Sequence, residues 1–497
     1  MLEPVTGISN IHSADTVLGA PGLFVKPLKT ERWQDRRDPI VVVGGGLAGI
    51  AAATVLESCG LPVMLLEARQ DLGGRAGSFQ DAQSGEILDN CQHVLLGCCT
   101  NLIDLYRRLG ASEHIRWYRR VHYLDPNGRH YSLWGVPGLP APLHLGPSMG
   151  LFNLLSPAQR LSIAHAMRAM MRIGRSGRAA LANVSFGEWL ARHHQSPAVI
   201  QKFYDPVVIS ALNEDTQRTA AIYAVEVFQE AMLRNRRGYM LGLPDCPLQT
   251  LYSKRPCRDI RLGKRVAEIT CRDRTVSTVR LVSGETIAAS AVVLATNHHA
   301  ASKMIAPEWL RTDSRFAGLE KLESVPILGA HLWFDRPLMK IPHAALIEGP
   351  LQWLFRKDSS GTAVHGVISA ARQWVSTPHD RCAALFEHQL RTLFRQPEAR
   401  LVRYRIVIEK RATFSPVPGV DRYRPTQEPL AGGIENLFLA GDYTQTGWPA
   451  TMEGAVRSGY LAAGAVLKAL PQTAGLPTPL ADDLPFELSA RLISGRD

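Results

Sequence analysis

Gly44, Gly46 and Gly49, with Glu67 eighteen positions further on, have the types and spacing that dinucleotide binding needs. Gly44 permits a tight turn. Gly46 has no Cβ, so a pyrophosphate can approach the backbone, and Gly49 lets a helix lie close to a strand. Leu47 and Ala48 fall between them, where free backbone N–H groups and the positive end of a helix dipole would face phosphates. Glu67 is placed to accept from a ribose hydroxyl. The elements that must position these residues surround them. Ile40-Val41-Val42-Val43 is an apolar run of β-formers, a small-residue helix runs from Ala48 to Leu56, and Val63 to Leu66 is a second strand ending at the acid.

Six residues after Glu67 stands Gly73, opening Gly73-Gly74-Arg75 and then Ala76-Gly77-Ser78. A nicotinamide-specific unit has no use for this. Flexible backbone and a guanidinium just beyond the acid, with Ala68 and Arg69 between, suit a second stretch of one longer cofactor. Here the sequence resembles the large family of flavin amine oxidases and phytoene-desaturase-like enzymes, which share Glu-x-x-x-x-x-Gly-Gly-Arg. The resemblance implies FAD, with this part of the chain lying along the pyrophosphate and toward the flavin. It also implies an adenine contact through the backbone of Val266.

A second block lies near the other end, Asn436 to Thr444 and then Gly447 to Ala455. A buried strand ends in Gly441-Asp442, and a Gly/Ala-rich helix follows. Asp442 can accept from a ribityl hydroxyl. The helix N-terminus at Thr451 and Met452 can stabilise negative charge near flavin N1–C2=O. Trp448 to Met452 would then lie beside the isoalloxazine.

The 497 residues suggest two domains, each with ample core. The eight cysteines form no CxxC pair and no zinc-spaced cluster, so no metal site is expected, and a reducing compartment fits. The first twenty residues have no basic region followed by an apolar one, so no signal peptide is expected. A net charge of +11 calls for an anionic partner or serves solubility. No zinc finger, helix-turn-helix or RNA-binding aromatic motif appears, which favours an anionic membrane surface over nucleic acid. Residues 130–159 contain no Asp, Glu, Lys or Arg, but Pro137, Pro140, Pro142, Pro147 and Pro157 forbid a continuous spanning helix. Ser156-Pro157 then reads as the N-cap and first residue of a helix. It is expected to carry Leu161, Ala164, Met167, Met170 and Met171 on one side and Arg160, Arg168, Arg172 and Arg175 on the other. Such a helix suits peripheral contact with anionic headgroups.

Asp89-Asn90-Cys91-Gln92-His93-Val94-Leu95-Leu96-Gly97 narrows the resemblance, to hydroxysqualene dehydroxylase, although many relatives have Gly where this chain has Cys91. His331 to Pro337, Arg411 to Pro416 and Gly441 to Gly459 carry it further. It implies reductive dehydroxylation of hydroxysqualene, a C30 allylic alcohol, to squalene, a hopanoid precursor, by hydride transfer from flavin N5. An external electron donor must then reduce the flavin. Leaving hydroxide needs a general acid, for which His93 and then Asp89 are the choices. Gln92, Trp333, Trp353 and Trp448 are the expected substrate contacts. Two rivals stay open: a phytoene-type polyprenyl desaturase or isomerase, and a prenyl-lipid escort protein without flavin chemistry. A flavin amine oxidase fits less well, because no pair of tyrosines stands near the last helix.

The expected architecture is α/β. An FAD-binding Rossmann-like domain, discontinuous over residues 38–110, 240–300 and 430–470, would hold an inserted α+β substrate domain with a helical lid over 111–239 and 301–429. Residues 1–37 would be an N-terminal extension and 471–497 a polar tail. The expected location is cytoplasmic, peripheral on the inner face of a membrane.

Overall fold

Ile40–Val43 lies at the centre of a five-stranded parallel sheet because all four of its side chains are apolar and buried. The computed structural model describes residue 34, residues 37–473, residue 476, residues 479–487 and residues 489–490, so nearly all of the expected N-terminal extension lies outside the described residues. The strand order is Asp259–Arg261, Val63–Leu66, Ile40–Val43, Ala291–Leu294, Leu437–Leu439. The chain builds outward on one side of Ile40–Val43 and then returns to build on the other. The crevice at such a reversal, past the carboxyl ends of the central strands, is where open α/β sheets bind ligands. An antiparallel meander, Val266–Arg272, Thr275–Leu281 and Thr286–Ala288, leads into Ala291–Leu294.

Two helices pack tightly on each other beside this sheet. Leu47–Ser58 buries Ile50, Ala51, Ala52 and Ala53, and Met452–Ala469 buries Ala462, Ala463 and Val466. Gly459 makes the approach possible, since a Cβ there would lie 2.2 Å from the Ala48 carbonyl oxygen.

A seven-stranded sheet forms the second body of structure, ordered Leu401–Phe414, Ser324–Phe334, Ala363–Ile368, Trp353–Arg356, His343–Leu346, Arg120–Leu124, His130–Trp134. Helix His379–Leu393 buries Cys382, Phe386 and Leu390 in an apolar cluster with Leu328, Leu332 and Leu354 of this sheet. Tyr123, Leu133 and Ala345 of the sheet join a second cluster with the helical residues Ile163, Met170, Phe203 and Phe228. A small sheet joins the two parts. Leu241–Pro244 pairs on one side with Leu95–Leu96 and on the other with Ile115–Tyr118.

One expectation needs correction. Helix Pro157–Gly177 begins with the anticipated cap, Ser156 accepting from the Gln159 N–H and the Gln159 side chain accepting in return. However, its buried residues are Ile163, Ala166, Met170 and Met171, and Leu161 is 61% exposed on the basic side. Leu161, His165, Arg168 and Arg172 follow i, i+4, i+7, i+11, which is one stripe of a helix. The described part of the C-terminal segment, expected as a polar tail, is held by partners as well. Asp483 pairs with Arg175 and Arg457, and Glu487 accepts from the backbone N–H groups of Ala141 and Arg236.

All eight cysteines are free thiols. Among the described residues no helix is long and apolar enough to cross a membrane.

Candidate functional site

Gly44 turns the chain at φ +108°, and a Cβ there would strike the Ala295 carbonyl oxygen at 2.6 Å. A Cβ on Gly49 would lie 1.8 Å from the Gly44 carbonyl oxygen. Only glycine fits at either place. Gly46 is different: nothing lies within 4 Å of where its Cβ would be, so the turn opens onto free space. Gly46 is also the N-cap of Leu47–Ser58, and no side chain caps that helix. An uncapped N-terminus facing open space is the donor set a pyrophosphate needs, so the residues present fit a dinucleotide.

Glu67 is buried, with one carboxylate oxygen accepting from the Gly45 N–H at 2.6 Å and the other from the Arg69 N–H at 2.8 Å. Each oxygen keeps a lone pair for a ribose hydroxyl, and the acid also fixes the glycine turn. Ala68 and Arg69 are exposed, and Arg69 Nη1 donates to the Gly74 carbonyl at 3.0 Å. Gly73 and Gly74 both have positive φ, at +105° and +59°, and the Gly73 N–H donates to the Gly45 carbonyl. The two glycine turns therefore lie one on the other. A cavity of about 380 Å³ opens beside them, lined by Arg69, Leu72, Gly74, Phe79 and Asn90 among others.

Arg75 and Asp442, each expected to contact the cofactor, also bind each other in a fork, Nη1 to Oδ2 at 3.0 Å and Nη2 to Oδ1 at 2.7 Å. Opposite charges brought together away from water pair before they do anything else. Burial opposes the charge on Arg75, yet Asp442 outweighs it and holds the guanidinium above its usual range. Arg75 also donates to the Ala412 carbonyl in the seven-stranded sheet, so it ties three segments together.

At the carboxyl end of Leu437–Leu439, Gly441 has φ +141° and its N–H donates to Ser458 Oγ. Thr451 caps Met452–Ala469 by accepting from the Gly454 N–H at 3.1 Å, and Met452 is the first helical residue. Val266 opens the meander as a buried strand residue opposite Leu281. Reading the sequence missed Arg424, whose Nη2 donates to the carbonyls of Asp442, Thr444 and Trp448 and so shapes the loop that carries Trp448.

The segment 89–93 lies on the second glycine turn, with the Asn90 N–H donating to the Gly77 carbonyl. Asp89 is buried and engaged: its Oδ1 accepts from Ser78 Oγ at 2.8 Å and from the Leu248 N–H at 2.9 Å. It therefore splices the 78–89 hairpin to residue 248. His93 is the other residue expected as the acid. Burial pulls its pKa down, so the ring is neutral near pH 7, and its Nδ1 lies 2.9 Å from the Cys91 carbonyl. With Nδ1–H donating to that carbonyl, Nε2 is left as an acceptor. Cys91 is pushed up to about 12 by burial and stays a thiol.

Gln92 donates to the His93 carbonyl at 3.2 Å and accepts from Lys357 Nζ at 3.1 Å. Lys357 also stands 3.9 Å from Asp89 Oδ2. It is a hydrogen-bond donor beside the segment, and nothing in its local sequence announced it. Two buried histidines back this patch. His331 Nε2 lies 2.9 Å from the Asp89 carbonyl and its Nδ1 lies 3.2 Å from His365 Nδ1.

The three tryptophans fall in separate surroundings. Trp333 lies under the Arg403 guanidinium, 3.6 Å from ring centroid to Cζ. Trp353 donates from its indole N–H to Ser210 Oγ at 2.6 Å and stacks on Phe355. Trp448 is buried against Cys98 and Ala231, below Arg457. Apart from these, Phe186, Phe203, Tyr204 and Phe228 form one buried aromatic cluster in the helical layer. The chain also brings His114, Asp245 and Cys246 together, their ligand atoms within 4.8 Å of one another, a trio that local spacing did not disclose.

A family model for flavin containing amine oxidoreductase matches residues 47–467. The chain is 27% identical over 460 residues to a chloroplastic/chromoplastic 15-cis-phytoene desaturase of an Oncidium hybrid cultivar, covering 86% of this chain and 78% of that one. It is 26% identical over 462 residues to the 15-cis-phytoene desaturase of Synechococcus elongatus, covering 86% and 95%. Similarity extends to the zeta-carotene desaturase of Synechocystis, 24% identical over 483 residues and covering 86% and 97%. Among solved structures, putrescine oxidase bound to putrescine shares the fold with a TM-score of 0.65 at 16% identity, over 86% of this chain and 99% of that one.

Proposed function

The chain belongs to the flavin-containing amine oxidoreductase family and is an FAD-dependent oxidoreductase, and from that premise we propose that its substrate is a long isoprenoid hydrocarbon, which it desaturates. The observation that carries this reading is similarity to desaturases of such chains over 86% of the protein. The state of His93 supports it. Removing two hydrogens from a hydrocarbon requires a proton acceptor, and a neutral imidazole with Nε2 unprotonated is one.

Gly46, Leu47, Ala48 and Gly49 would hold the pyrophosphate, Glu67 the ribose, and Thr451 and Met452 the flavin end. Bound FAD supplies a two-electron acceptor or donor. The protein's own residues do the rest. Arg75 and Asp442 lock the two glycine-rich ends of the cradle together. Arg424 fixes the loop from Asp442 to Trp448. His93 takes up the proton.

A second reading is reductive dehydroxylation of hydroxysqualene to squalene. The segment Asp89 to Gly97 resembles that enzyme family, and Lys357 beside Gln92 is the proton donor that a departing hydroxide needs. The two readings run in opposite redox directions, so one anaerobic experiment separates them. Oxidised protein mixed with a polyprene in detergent should bleach its flavin while a longer conjugated chromophore appears. Chemically reduced protein mixed with hydroxysqualene should stay reduced. Reoxidation with squalene formation would transfer the assignment to the dehydroxylase. Failure of both arms would remove the isoprenoid substrate altogether.

A further inference from the structure

Helix Pro157–Gly177 changes character at Gly174, whose φ of +63° and ψ of −179° break the helical path. Beyond the break the arginines turn inward. Arg175 pairs with Glu230 and Asp483, and Arg178 pairs with Glu226 and Glu230. Before the break they do not. Arg160 donates to the Gly150 carbonyl and to Asn153 Oδ1. Arg168 and Arg172 are exposed and, among the described residues, have no carboxylate partner. They face Arg192, which is equally without one, across a cleft of about 780 Å³ lined also by His165, Trp189 and His193. Three guanidiniums line this cleft, and no acid does.

Exposed leucines stand beside the cleft. Leu161 is 61% exposed in the same stripe as Arg168 and Arg172, and Leu151 is 70% exposed. The Arg160 bond to the Gly150 carbonyl draws Leu151 to the start of the helix. Large apolar side chains next to arginines without carboxylate partners make the pattern of a helix that lies in a bilayer interface, arginines at the phosphates and leucines at the acyl boundary.

We propose that the Arg168–Arg172–Arg192 cleft, with Leu151 and Leu161 beside it, docks on an anionic bilayer by binding its phosphate headgroups. The inference concerns only where the protein rests and stands whichever reaction it performs. Arginine stays charged throughout the working pH range, so docking needs no titration to switch it on.

The test uses the full FAD-bound chain in vesicle co-sedimentation. Wild type should sediment with phosphatidylcholine vesicles containing phosphatidylglycerol and stay in solution with phosphatidylcholine alone. Arg168→Gln/Arg172→Gln/Arg192→Gln should weaken partitioning by roughly two orders of magnitude. Leu151→Ser/Leu161→Ser should weaken it while leaving the salt dependence in place. Retained flavin absorbance shows that each variant is folded. If the triple variant loses its flavin, the wild-type salt series decides: binding that does not fall between about 50 and 500 mM salt overturns the proposal. Equal sedimentation with neutral vesicles also overturns it. So does complete displacement by millimolar glycerol phosphate, which would make the cleft a site for a small soluble phosphate.

Discussion

Around Gly44–Gly49 the chain sets backbone against backbone, whereas around Arg178 it sets charge against charge. In the first region, absent side chains define the shape: a Cβ at Gly49 or Gly459 would lie within 2.2 Å of a carbonyl oxygen. In the second, Arg178 is buried and donates to Gln229, Glu226 and Glu230 at once. The two carboxylates there part company. Burial pushes Glu226 up to about 8, and among the described residues only Arg178 lies close enough to bond it. Burial opposes the charge on Glu230 as well, but Arg175, Arg178 and Arg234 outweigh it and hold it at about 2. The glycine cradle is thus shaped by backbone contact, while the helical layer carries a carboxyl that burial pushes up to about 8. A cofactor that stays bound and a substrate that must enter and leave place just these different demands on a protein.

Four experiments bear on that contrast. Gly49→Ala should do the most damage, about 3 kcal/mol of stability with loss of flavin from the purified protein, read by thermal melting and visible absorbance. Full flavin content would show that the helix can shift and that the cradle is not rigid. Asp442→Asn leaves Arg75 half-buried without its partner and should cost about 2 kcal/mol, the Arg75 side chain being 34% exposed and so partly rescued by water. A double-mutant cycle with Arg75→Met measures the coupling directly, and additivity would dissolve the clamp.

The third concerns Glu226. Its folded pKa of about 8 lies above the ordinary 4.5, so the folded state holds a proton that the unfolded state releases. The stability this contributes is fully present below the unfolded pKa and is lost as pH rises through the folded one. The slope is at most about 1.4 kcal/mol per pH unit in that window. Glu226→Gln should flatten this fall in chemical denaturation curves taken at several pH values, and an unchanged slope would place the proton elsewhere. The smallest effect is expected from Trp353→Phe, which loses the indole N–H shared between Ser210 Oγ and the Pro206 carbonyl, about 1 kcal/mol. A much larger loss would mean that Trp353 supports more than the sheet face it stacks on.

The cradle was legible in the sequence because each glycine states its own backbone requirement locally. Gly44, Gly46 and Gly49 need no partner to be understood. Arg75 and Asp442 could each be singled out for the same reason, but their pairing could not, since nothing local carries a contact between residues 367 apart in the chain. Lys357 was invisible on the same grounds: among Arg356, Lys357 and Asp358 it reads as one more surface charge until the strands bring it to Gln92. Leu161 was placed on the wrong side because two apolar stripes on a helix differ by a single residue of offset. The segment after Pro471 read as tail because its polar residues look idle until Asp483 and Glu487 meet their partners.

The Arg75–Asp442 clamp has a consequence for the order of events during synthesis. The five strands of the cofactor sheet come from positions spread between Ile40 and Leu439. The first half of the cradle leaves the ribosome roughly four hundred residues before its closing strand, its clamp and the helix beginning at Met452. Contacts of such long separation form only after the loop between them is closed. Flavin loading therefore waits for that last strand and helix, and a nascent chain must keep its glycine turns and apolar strands apart from other chains until they arrive to close the cradle.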